Sequence, residues 1–428
     1  MVISDSATGV TAMPTSAYLH IPFCRRRCFY CDFPVSVIGD RKQGDNSNSI
    51  LNYVEVLLQE IFISAAFCQE KILFGNAEGA RVSTARLLET VFFGGGTPSL
   101  LSVSQVGRIL EALDRHFGIV KNAEISMEID PGTFSLEQLR GYANVGVNRF
   151  SLGVQSFDEE LLRVCGRSHT VDDVYRAVDL IHEVGIKNFS IDLISGLPHQ
   201  SLEQWHKTLE KAVEIGSAHV SSYDLIVEEK TAFFKSYAPG SEPLPTDEMA
   251  ADMYRMAQKV LTAGGYDHYE ISNYAKAGFE CRHNQVYWEN KPYYGFGMGA
   301  TSYVFGERFS RPRKTWEYYD WVKGGCEIER REVVEKNDEL LESLMLGLRL
   351  RRGVNLGRLS IEFGGEVLAK VWSCLQPYYG CGWVQVLDEN GVEMEVDFLP
   401  VVGWLRLSDP EGFLFSNTIL ARLFSELG

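Results

Sequence analysis

The chain has 428 residues, 45% of them hydrophobic and 23% charged, with a formal net charge of −16. Such a composition belongs to a packed globular protein, and the length asks for one large barrel-like domain plus a smaller one. The acidic excess excludes broad electrostatic binding to nucleic acid or to an anionic membrane, so no nucleic acid partner is expected.

The opening segment "MVISDSATGVTAMPTS" lacks the charged start and apolar middle of a secretory signal, and its Ser/Thr content faintly resembles an organellar transit peptide without arginine. No apolar run is read as approaching the ~20 residues a membrane crossing needs, so no transmembrane segment is expected. Nine irregularly spaced cysteines do not make a disulfide framework. They are read as reduced thiols in a soluble reducing compartment: the cytoplasm first, the mitochondrial matrix or plastid stroma as alternatives.

From residue 17 to about 225 one theme repeats: a β-rich run, a turn and an amphipathic helical stretch. The strands are expected at "AYLHI" (17), "TVFFGG" (90), "AEISMEI" (123), "VNRFSLGV" (147), "KNFSIDLI" (187) and "AHVSSYDL" (218). Helices are expected near 50–67, 104–117, 135–144, 158–184, 201–215 and 247–263, with surface insertions at 37–49 and 74–84. Alternation of this kind implies right-handed βαβ crossovers and a parallel sheet. The fold class is therefore α/β, an incomplete parallel (β/α)6 barrel with a smaller, mainly helical C-terminal domain. The expected division is a core barrel at 17–264, an aromatic-rich connecting region at 265–336 and a helical unit at 337–428, with a small β-wing allowed.

"CRRRCFYCDF" follows the first strand and holds Cys24, Cys28 and Cys31 with C-x3-C-x2-C spacing. Soft thiolates converging on one loop select zinc or an iron–sulfur cluster. A structural zinc site closes with four ligands, usually as two pairs, and no second pair of comparable spacing exists here: Cys374 and Cys381 stand seven apart. Three thiolates on a [4Fe–4S] cubane instead leave one iron free for a small molecule's amine and carboxylate. Three buried structural cysteines are a poor alternative, because the arginines between them need solvent.

"YLHIPFCRRRCFYCDF" resembles the cluster motif of the radical S-adenosylmethionine (SAM) superfamily, in the wording of its oxygen-independent coproporphyrinogen III oxidase-like family. That resemblance implies a cluster on Cys24, Cys28 and Cys31, fed by a reducing electron donor, with SAM on the unique iron and Tyr18 and Tyr30 lining its site. It further implies that Gly95, Gly96 and Thr97 of "FFGGGTPSLL" hold SAM's amino end. Glu128, Gln155, Arg167 and Asp192 would supply hydrogen bonds to ribose, amine and adenine, with Arg167 pairing the carboxylate. As carboxylates and amides at strand ends, they would face the barrel mouth. His20, His169 and His199 are read as structural.

Coproporphyrinogen dehydrogenases of this family carry a further cysteine two residues after the third, where this chain has Phe33. The sister branch of heme chaperones, HemW, ends the loop in CDF and carries a box of the form HNxxYW. Here that box is His283, Asn284, Tyr287 and Trp288 within "CRHNQVYWENKPYYGFGMGA". The resemblance implies heme binding through it, with His283 as axial ligand and Cys281 as a rival, and apo-hemoproteins as recipients. Coproporphyrinogen III dehydrogenase and a non-catalytic iron–sulfur interaction protein stand as alternatives. Arg25, Arg26 and Arg27 are either a solvated loop or a docking patch for an acidic partner.

Overall fold

The computed structural model describes residues 13–428 except 41–42, 75–86, 239, 329–331 and 334. Most of the Ser/Thr-rich start, nearly all of the 74–84 insertion and part of the 37–49 loop therefore lie outside the described residues.

Six parallel strands, β1 (Ser16–Ile21), β2 (Leu88–Gly95), β3 (Ile119–Ile129), β4 (Arg149–Gln155), β5 (Phe189–Ser195) and β6 (His219–Asp224), lie side by side in chain order. Between and after them run helices α1 (Asn48–Phe74), α2 (Val103–Phe117), α3 (Leu136–Asn144), α4 (Val171–Val184), α5 (Leu202–Ile215) and α6 (Asp247–Ala263). Ser102, Ser135, Thr170 and Ser201 each open a helix with a capping box, satisfying two end N–H groups reciprocally. The helix expected over 158–184 is broken: a short helix at Glu159–Val164 ends, Gly166 turns at φ +72°, and Thr170 restarts it. That break puts Arg167 on a loop.

Three short strands extend the sheet: β7 (Asp267–Glu270), β8 (Asn273–Ala275) and β9 (Tyr294–Phe296). The full order is β9-β1-β2-β3-β4-β5-β6-β8-β7, linear from end to end, so the barrel stays open. Strand alternation sends Leu19, Val91, Met127, Leu152, Ile191 and Val220 into the layer beneath the helices, all 0% exposed. Each such side chain contributes about 1.5–3 kcal/mol of burial. Their neighbours Tyr18, Phe92, Glu128, Ser151, Asp192 and Ser221 line the lumen, whose wall mixes carboxylates and hydroxyls with aromatic rings.

Against expectation, the Asn48–Cys68 part of α1 is long and apolar enough to cross a bilayer. In the fold this helix packs on the barrel through Ile50, Tyr53, Val54, Leu57 and Ile61. A deeply buried charge on it, Glu60, accepts from Arg311 Nε at 2.8 Å, Gly297 N at 2.8 Å and Tyr318 OH at 2.7 Å.

A second core forms beyond residue 336 from helices at Lys336–Gly347, Leu356–Phe363, Glu366–Gly380 and Ser416–Leu427, together with a four-stranded antiparallel sheet. Arg255 forks onto Glu411 at 2.7 and 3.0 Å, and His268 Nδ1 meets Asp409 at 2.8 Å, tying this unit to the barrel.

Candidate functional site: a lumen with thiols at its mouth

A cavity of about 540 Å³ fills the barrel lumen. At its mouth, the loop after β1 carries Cys24, Cys28 and Cys31, all half-buried, with Arg26, Arg27 and Phe33 beside them. All nine cysteines are free thiols. Burial pushes the Cys24 thiol up to about 12, helped by the Asp130 carboxylate, and burial also raises Cys31. Such thiols ionise when they bind metal, which supplies the missing charge compensation.

The glycine stretch at the end of β2 is shaped by contact. A Cβ on Gly96 would lie 2.6 Å from Phe23 O and 3.0 Å from Cys24 Sγ, and Gly95 sits at φ +109°, open to few residues other than glycine. Thr97 N donates to Phe23 O at 2.7 Å, stitching this turn to the cysteine loop. Among the described residues no three of His, Cys, Asp and Glu converge closely enough to hold one ion.

Glu128 accepts from Gly95 N at 3.0 Å, and burial, then the Asp192 charge, push its carboxyl up to about 8. Asp192 accepts from Ser151 at 2.8 Å and Ser190 at 3.2 Å, and burial raises it as well. Gln155 follows a register shift in β4 with φ +68°, a strained left-handed residue at the lumen. The Arg167 guanidinium meets Cys28 Sγ at 3.4 Å through Nη1, while Nη2 donates to Gly153 O at 2.9 Å and to Asp130. Tyr30 packs against Phe233 at the mouth.

The HNQVYW segment is helix α7 (Arg282–Trp288), which closes the opposite end of the lumen. No local side chain caps it; the Glu124 carboxylate of β3 does so from across the barrel, accepting from Arg282 N at 3.1 Å and His283 N at 3.0 Å. The His283 ring is buried with both nitrogens bonded, Nδ1 to Thr90 Oγ1 at 2.8 Å and Nε2 to Tyr287 OH at 2.9 Å. Burial drives its pKa down to about 3. Tyr18, Phe92 and His283 stack in succession, 6.2 and 5.2 Å between centroids, with Tyr287 edge-on to His283. Cys281 is equally buried, its thiol pushed up to about 12 by burial and by Glu124.

Every residue named for cluster and SAM lines this one cavity, as do Cys281, His283, Asn284 and Tyr287. Trp288 does not; it lines a separate cleft against the C-terminal unit. His20 bonds Tyr18 OH and Pro34 O, and His169 bonds Val154 O, with burial driving both down to about 4. His199 N donates to Pro243 O at 2.7 Å. Arg25 Nη1 donates to Gly132 O at 2.7 Å, Arg26 pairs exposed Asp40 at 3.3 Å, and Arg27 donates to Phe33 O at 2.6 Å. Motif reading missed Phe92, Asp130, Arg149, Ser151, His219 and Ser221, which also line the cavity. Strand alternation, counted by twos from Glu128, Gly153 and Asp192, finds several of them.

Residues 18–212 match the family model of the radical SAM superfamily. The chain is 45% identical over 426 residues to a protein named heme chaperone HemW from Synechocystis, covering 98% of both chains. It is 36% identical over 350 residues to the HemW of Lactococcus lactis, covering 82% of this chain and 85% of that one. Among solved structures, coproporphyrinogen III oxidase HemN from Escherichia coli superposes with a TM-score of 0.77 over 96% of this chain and 90% of that one, at 23% identity, a likeness of fold. With 45% identity extending over 98% of both chains, the chain belongs to the HemW family of the radical SAM superfamily.

Proposed function

We propose that this protein is a radical-SAM-type heme chaperone that binds a [4Fe–4S] cluster, SAM and heme and delivers heme to apo-hemoproteins. The observation that carries this reading is 45% identity, over 98% of the chain, with a protein named heme chaperone, together with the thiol-bearing lumen. Cys24, Cys28 and Cys31 would hold the cluster; the missing Cβ at Gly96 leaves their loop room against the glycine turn. Bound there with SAM, a reduced cluster supplies one-electron reduction of the sulfonium.

The chain's own part is positional. Gly95, Gly96 and Thr97 would present backbone to SAM's amino end, and Tyr18, Tyr30, Glu128, Gln155, Arg167 and Asp192, which line the same cavity, would surround the remainder. Glu128 holds its proton to about pH 8, so it can donate a hydrogen bond at neutral pH. Asp130 holds Arg167 beside Cys28. An imidazole bonded at both nitrogens, like that of His283, reaches iron only by giving up one bond.

Anaerobic reconstitution followed by heme titration in visible absorption tests the reading. Saturable binding and transfer to an apo-hemoprotein are expected, and absence of saturable binding overturns it. Conversion of coproporphyrinogen to protoporphyrinogen would favour the dehydrogenase, and neither activity with an intact cluster would favour an inert iron–sulfur scaffold.

A further inference from the structure

A second cavity, of about 440 Å³, lies where the end of α7 meets the C-terminal unit. Its walls include Trp288 and Trp404, with Arg352 and Arg358 on the C-terminal side. The two indoles differ from the structural tryptophans. Trp205, Trp321 and Trp372 donate their ring N–H to Met253 O, Glu327 O and Asp397 O, as tucked-in indoles usually do. Among the described residues, the indole N–H groups of Trp288 and Trp404 have no hydrogen-bond partner and their rings no aromatic neighbour, yet both are half-buried on one cleft. Such rings present free faces to a flat guest.

The cations are placed to match. Arg358 gives Nε to Glu362 at 2.9 Å, and Arg352 gives Nη2 to Glu289, which Lys291 also pairs. A guanidinium has five N–H donors, so each keeps several for a carboxylate. Both arginine side chains are 52% exposed. The cleft's shape is fixed by backbone contact: Gly353, at φ +75°, presses the Arg352 loop onto the Trp404 strand, where an added Cβ would lie 2.1 Å from Leu405 O. Its volume falls in the usual range for small-molecule sites, about 300–1,000 Å³.

We propose that this cleft, outside the barrel, is the resting seat of a porphyrin dicarboxylate, with Trp288 and Trp404 against the macrocycle and Arg352 and Arg358 on its carboxylates. It rests on the heme-chaperone reading and names that ligand's place. Among the described residues no His, Cys, Met or Tyr lines the cleft, so the grip is on ring and carboxylates and leaves the iron free to pass to an acceptor. The α7 helix then faces two ways: His283 sealed into the lumen floor, Trp288 turned to the cleft.

The test uses the full-length reconstituted protein titrated with heme, metal-free protoporphyrin IX and protoporphyrin dimethyl ester. Heme and the metal-free ring should bind within about threefold of each other, and the ester should bind roughly tenfold or more weakly. Trp404→Ala, and separately the pair Arg352→Gln with Arg358→Gln, should each weaken heme binding roughly tenfold, leaving cluster iron and SAM binding unchanged. Trp404→Phe should restore most affinity. The arginine pair, being exposed, keeps the test sound where the indole deletion disturbs folding. Heme affinity unchanged in both variants, or heme binding without binding of the metal-free ring, would overturn the cleft while leaving the chaperone reading intact. A wild-type protein that binds no heme overturns both.

Discussion

The two ends of the lumen are built from equally chemistry-rich sequence, and they are physically opposite. At the mouth, Cys24, Cys28 and Cys31 are half-buried on a short loop and two of the three thiols are held neutral by burial. At the floor, "CRHNQVYW" folds into a helix whose polar groups are largely spoken for: Glu124 takes two backbone N–H groups, and His283 bonds Thr90 and Tyr287. A polar group left available implies a ligand; a polar group fully paired implies architecture.

The sharpest separation comes from Cys28→Ala. It should abolish cluster incorporation, read as iron and sulfide content after reconstitution. As a half-exposed residue it should cost the apo protein no more than about 1 kcal/mol. Retained cluster would end the mouth's assignment.

Glu124→Ala should do the reverse. Orphaning the buried His283 N–H and the part-buried Arg282 N–H at the start of α7 should cost about 2–4 kcal/mol in urea unfolding while cluster content holds. A stability loss near zero would mean that the floor is not held by this cap.

His283→Gln comes next, at about 1–3 kcal/mol, since the amide can keep only part of the pairing. A histidine whose folded pKa is near 3 lies below its unfolded value of about 6.5. Its contribution is present above pH 6.5 and is lost as pH falls toward 3. Acid sensitivity of the thermal midpoint should therefore be smaller in the variant than in the wild type.

Glu128 gives the opposite sign. Its folded carboxyl, raised to about 8, keeps a proton that the unfolded chain loses near 4.5. Apo stability should fall as pH rises from about 4.5 to 8, and level off above. Glu128→Gln should flatten that slope, leaving the part due to Asp192, and an unchanged slope would remove Glu128 as its source. Charge reversal at Arg26 and Arg27 should be smallest on stability, within about 0.5 kcal/mol. If these cations dock an acidic electron donor, cluster reduction should slow and lose its salt dependence.

The β/α rhythm is readable because the strands carry alternation and four of the helices a local cap: Ser102, Ser135, Thr170 and Ser201 open signals four residues long. The cluster loop was readable for the same reason, its three thiols lying within eight residues. The break in the helix expected over 158–184 is not legible locally, because it depends on Gly166 turning beneath the Phe29 ring, a contact from 137 residues away. The apolar length of α1 is explained only by packing, which lays it over the barrel, anchored by Glu60 on Arg311 some 251 residues on.

Sequence by itself determined the order of strands and helices, the cysteine spacing and the family wording, since propensity, capping and motif chemistry act over a few residues. Tertiary structure decided which way the side chains of 282–288 face, because the cap on that helix is a carboxylate about 160 residues upstream. It also set Asp130 against Arg167 and Arg167 against Cys28. Those pairings cross the barrel, and a barrel brings together what its strands, not their neighbours in sequence, place side by side.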